Sequence, residues 1–137
     1  MDALGQAIVV ATGGMFLLAL LAGVWKWRAM LASPQHLAPP YVDIAHRAAL
    51  MYSFAGLLVW HFAAWSVWPT WLDALACAGL FLFFYAAVLT YLALGWRNET
   101  DNQFSERRFA TVGGMWLLIA GEIGGFAILF SGTLAGF

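Results

Sequence analysis

Charged side chains are scarce in this chain. Only 9% of its 137 residues are Asp, Glu, Lys or Arg, against 64% hydrophobic, where a soluble domain carries about 25% charged residues. So short a chain has too little interior to enclose that much apolar surface. The mean hydropathy of +0.81 therefore points to lipid as the surroundings. A net charge of −1 leaves no basic surface for nucleic acid. The single cysteine, Cys77, excludes an internal disulfide and, set in an apolar run, reads as packing filler. Phosphate-binding loops, CxxC, HExxH and serine-nucleophile motifs are absent, as are repeats and low-complexity tracts.

What is present is four apolar stretches, at residues 5–24, 48–68, 74–96 and 109–130. Each has roughly the 20 residues that cross a bilayer as a helix. The pattern predicts an all-α, four-helix transmembrane bundle forming one integral membrane domain, with spans at about 5–28, 43–68, 71–97 and 108–134. Ser33-Pro34 and Pro39-Pro40 interrupt the chain after the first span, and Pro69-Thr70 makes a very short turn that forces spans two and three to be antiparallel neighbours. Positive residues follow the first span and Asp2 precedes it, the opposite of a signal peptide, so that span is expected to be permanent. All six basic residues, Lys26, Arg28, Arg47, Arg97, Arg107 and Arg108, flank the first and third connections. The positive-inside rule makes that face cytoplasmic and puts both termini outside, as in a bacterial inner membrane. Trp25, Trp27 and Trp96 fall at the inner interface and Trp65, Trp68 and Trp71 at the outer one.

Polar residues within spans are costly and so informative. His46 lies about one turn into the second span, and His61, 15 residues on, is about 22 Å further along a helix, so the two cannot share a metal ion. Glu122 lies about 21 Å from Arg108 along the fourth span, a depth that suggests a hydrogen bond to His61. His46 also begins a stripe of small residues, Ala49, Ser53 and Gly56, which admits either another helix or a flat cofactor such as haem. Tyr52 sits on the adjoining face, and Tyr91 is expected at a comparable depth on the third span. The polar connection Asn98-Glu99-Thr100-Asp101-Asn102-Gln103 lies over this region. Gly121 and Gly125 form a GxxxG pair suited to close packing within the bundle or between subunits.

The length, the four spans and the segment Ala45-His46-Arg47-Ala48-Ala49-Leu50-Met51-Tyr52-Ser53 resemble the small membrane family of styrene oxide isomerase and hydroxylaminobenzene mutase. In that family an alanine–histidine pair opens the second helix, with small residues after it and a polar side chain six positions on. Tyr52 stands where the family has asparagine. The resemblance covers the span architecture throughout and residue detail around His46. It implies a homo-oligomer, a trimer, with haem b held between subunits by His46 as axial ligand, beside Ala49, Ser53 and Gly56. It further implies ferric iron that opens a small apolar epoxide to an aldehyde, with Tyr52, Tyr91 or Asp101 orienting substrate or carrying protons. Two other readings stay open: a non-catalytic haem- or quinone-associated subunit of a membrane complex, and an accessory protein whose glycine face and polar connection are contact surfaces.

Overall fold

The proline positions set the helix ends. In the computed structural model, which describes residues 2–105 and 109–137, four helices run α1 Ala3–Ala32, α2 Pro40–Trp65, α3 Thr70–Arg97 and α4 Phe109–Leu134. Arg107 and Arg108 lie outside the described residues. At 1.5 Å per residue the helices are roughly 39–45 Å long, ample for a hydrocarbon core of about 30 Å, and all four are long and apolar enough to cross a membrane. Asp2 caps α1 by accepting the Gly5 N–H at 2.7 Å. α1 continues to Ala32, past the expected end at 28, and stops where Ser33 takes an extended conformation ahead of Pro34. α2 begins at Pro40 rather than 43, because proline at the first helical position arrives with helical φ and lacks only an N–H that would be unpaired anyway. It ends at Trp65 rather than 68, since Ser66 is extended and the chain must approach Pro69 that way. Asn98 closes α3 in the left-handed conformation, its N–H bonded to the Leu94 carbonyl.

α2 and α3 form the middle of the bundle and touch each other and both outer helices, whereas α1 and α4 do not meet among the described residues. Large apolar side chains face outward along the whole length, Val10, Leu17, Leu58, Leu82 and Trp116 among them, as a lipid-embedded surface requires. The inner contacts use small residues. Gly56 lies against the Thr12 hydroxyl of α1, Gly95 against the backbone N–H of Val42, Gly121 against the Phe83 ring and Gly125 against the Ala76 carbonyl. The GxxxG pair of α4 therefore packs within the chain, on α3.

The two ends of the bundle are fastened differently. At the end carrying the α1–α2 connection, Lys26 and Arg47 converge on Asp43 at 2.6 and 2.7 Å. At the other end the α2–α3 turn is tied to α4. The Val67 N–H donates to the Gly132 carbonyl at 3.2 Å, the Trp68 indole donates to the Ile128 carbonyl and Ser131 hydroxyl at 3.2 Å each, and the Thr133 hydroxyl donates to the Phe62 carbonyl at 3.1 Å.

Gly56→Val is expected to lower the thermal unfolding midpoint in mild detergent, because the added side chain meets Thr12 and overpacking costs about 1–3 kcal/mol. Gly13→Val, whose site has nothing within 4 Å, is the control and is expected to leave the midpoint nearly unchanged.

Candidate functional site

The residues singled out by the sequence fall into three places. The first is the α1–α2 seam. His46, half-buried, has Nδ1 2.9 Å from the Ala19 carbonyl, and its ring lies over Gly23, where a Cβ would stand 2.9 Å from Cε1. A carbonyl oxygen can only accept, so Nδ1 carries a proton, and in the neutral ring that leaves the lone pair on Nε2. This is the arrangement that second-shell carbonyls impose on metal-binding histidines. Ala49, Ser53 and Gly56 share the face of α2 that begins at His46, and all three are buried. Gly56 meets Thr12 of α1, and the Ser53 hydroxyl is turned back to the Leu50 carbonyl at 2.6 Å. At its Gly56 end the stripe faces α1.

The second place is the centre of the bundle. The Tyr52 hydroxyl donates to Glu122 Oε1 across α2 and α4 at 3.2 Å, and the Tyr52 ring stacks on Phe84 with centroids 4.3 Å apart. That is long for a hydroxyl–carboxyl bond, which usually spans about 2.5–3.0 Å. Glu122 therefore pairs with Tyr52 and not with His61, whose exposed ring packs edge-on against Trp60 and Trp65. Depth explains the change of partner. Glu122 is roughly 20 Å beyond the start of α4 at Phe109, and Tyr52 roughly 18 Å beyond the start of α2 at Pro40, whereas His61 is roughly 32 Å along. Measuring His61 from His46, already six residues inside the helix, underestimates its depth by about 9 Å.

The third place is a cleft of about 750 Å³ between α3, α4 and the 98–105 connection. Its polar lining combines the charged Arg97 and Glu99 with Thr90, Tyr91, Thr100, Asn102, Gln103, Ser105 and Thr111, and Phe83 and Leu118 lie at the deeper end. Tyr91 stacks near Tyr41 with centroids 6.0 Å apart and lies within electrostatic range of both Tyr52 and Glu122. Asp101 is exposed on the connection and is not among the residues lining the cleft.

Two further residues, at opposite ends of the bundle, escape a reading by composition alone. Tyr41, 5% exposed, receives the Gln103 N–H on its hydroxyl at 2.6 Å and so anchors the polar connection over the cleft. Its place directly after Pro40 is the only hint in the sequence. Asp73, 4% exposed in the first turn of α3, has Oδ1 without a hydrogen-bond partner. Among the described residues no group of three or more His, Cys, Asp or Glu could hold a metal ion. Comparison with protein-family models, curated proteins and solved structures returns no match.

The Tyr52–Glu122 bond is expected to show a coupling of about 0.6–1.7 kcal/mol in a double-mutant cycle of Tyr52→Phe and Glu122→Leu, the range seen for hydrogen bonds between membrane helices. Unfolding in bicelles measures it, and strictly additive effects would show that the pair does not join α2 to α4.

Proposed function

We propose that the chain is a haem-b-dependent membrane isomerase that rearranges a small apolar epoxide to an aldehyde and works as a homo-oligomer. The observation that carries this reading is the His46 ring, held through Nδ1 by the Ala19 carbonyl, which leaves Nε2 as the nitrogen that would bind iron. The donor set fits haem in that one histidine suffices, and His46 is half-buried at the bundle surface rather than sealed in its centre. Haem bound by His46 would supply a ferric Lewis acid able to draw electron density from an epoxide C–O bond.

The chain's own residues have separable parts in this scheme. The Ala19 carbonyl orients the iron ligand and sets its tautomer. The cleft between α3 and α4 has a volume typical of small-molecule sites and receives an apolar substrate, which reaches it from the bilayer. The Tyr91 hydroxyl in its wall orients the substrate oxygen, while the apolar end at Phe83 and Leu118 excludes water. Six residues separate His46 from Tyr52, which turns them about 120° apart around α2. His46 faces α1, Tyr52 faces α3 and α4, and α1 does not touch α4. A single copy thus carries the ligand and the cleft on different sides, and copies packed side by side bring one to the other. In this reading the basic end lies in the cytoplasm of a bacterial cell, with both termini outside.

Protein purified in mild detergent from haem-replete cells is expected to show a Soret band, and His46→Ala to lose it while keeping its helical circular dichroism. With haem bound, styrene oxide is expected to yield phenylacetaldehyde. A colourless folded protein overturns the haem assignment. A six-coordinate spectrum on dithionite reduction, with no turnover of the epoxide, would give the chain to electron transfer instead.

A further inference from the structure

Between α1 and α3, at the end of the bundle that carries the basic residues, lies an open groove of about 880 Å³ lined by Trp25, Leu92, Ala93, Trp96 and Arg97. The α3 residues among these mark one face of its last two turns. Trp96 is 83% exposed, so the chain itself leaves this surface uncovered. The surrounding charges narrow what can cover it. Of the described basic residues at this end, Lys26 and Arg47 share Asp43. Arg97 lines the groove, and Arg28 stands three residues past Trp25 on the same side of α1. Neither arginine has a carboxylate partner among the described residues.

We propose that this groove binds one anionic phospholipid per chain, with an acyl chain along Trp25, Leu92, Ala93 and Trp96 and the phosphate on Arg97 and Arg28. α1 is roughly 45 Å long, so its last turns, where Trp25 and Arg28 sit, reach the headgroup layer. Tryptophan is at home at that boundary. A guanidinium presents a planar fork that matches two phosphate oxygens, and basic pockets between membrane helices select anionic headgroups. A zwitterionic headgroup brings its own cation and gains less. A phosphate complements the two guanidinium charges beside the groove, which the apolar side chains of a second copy would not.

The test is to titrate phosphatidylglycerol into protein held in phosphatidylcholine nanodiscs, counting retained lipid by native mass spectrometry and following thermal unfolding. One phosphatidylglycerol is expected to be retained per chain in preference to phosphatidylcholine, with a rise in the unfolding midpoint. Arg97→Gln is expected to weaken that retention about fivefold, and the double variant with Arg28→Gln to abolish the preference. Arg47→Gln, whose charge is already engaged by Asp43, leaves the preference intact. Equal retention of the two lipids by the unsubstituted protein overturns the proposal, as does a double variant that still prefers phosphatidylglycerol. Efficient disulfide formation between copies of Trp96→Cys in native membranes also overturns it, by giving the groove to a second chain. Should Arg97→Gln fail to fold, Arg97→Lys reads the same preference and is expected to keep it at reduced affinity.

Discussion

Helices in hydrocarbon gain nothing by hiding apolar side chains from solvent that is already apolar, so their association rests on how closely their surfaces fit. The seam between α1 and α2 illustrates the constraint. Gly56 accepts the Thr12 side chain into the space a Cβ would take, and Gly23 does the same for the His46 ring. Each contact needs an absent side chain opposite a polar one. Thr12 shows the cost of such fitting, because its hydroxyl oxygen is buried there with no hydrogen-bond partner. His46 avoids that cost by donating to the Ala19 carbonyl. The orientation of the one ligand-grade histidine is thus a product of helix packing.

The four helices were legible in the sequence because length and hydropathy decide spanning, and their ends were legible to within three or four residues because proline and asparagine act locally. The partner of Glu122 was not. Choosing between Tyr52 and His61 needs the relative axial offset of α2 and α4, and a one-turn difference in where each helix is taken to begin shifts the answer by about 5 Å. The stripe from His46 to Gly56 was visible, but small residues look alike whether they face a helix or a cofactor. The cleft was harder still, since its walls come from α3, α4 and the connection, and no periodicity in any one of them marks it.

Distribution of the polar groups gives the molecule two chemically different sides. On one, His46 is half-buried against α1, its Nδ1 at the Ala19 carbonyl. On the other, Tyr41, Tyr91, Tyr52 and Glu122 continue from the polar connection into the middle of the bundle. Tyrosine suits this position: its ring is compatible with the apolar surroundings while its hydroxyl finds partners. The four arise from α2, α3 and α4, so the series exists only when those three helices are assembled.

The fastening of the α2–α3 turn to α4 has a mechanical consequence. Val67, Trp68 and Thr133 hold one end of α4 with four hydrogen bonds, while the opposite end is joined to α3 through the connection that roofs the cleft. α4 is therefore held at successive levels, by these bonds around Gly132, by the close approach of Gly125 to the Ala76 carbonyl and of Gly121 to the Phe83 ring, and by the bond between Glu122 and Tyr52. The cleft, bounded on α4 by residues from Thr111 to Leu118, begins where the last of these fastenings ends.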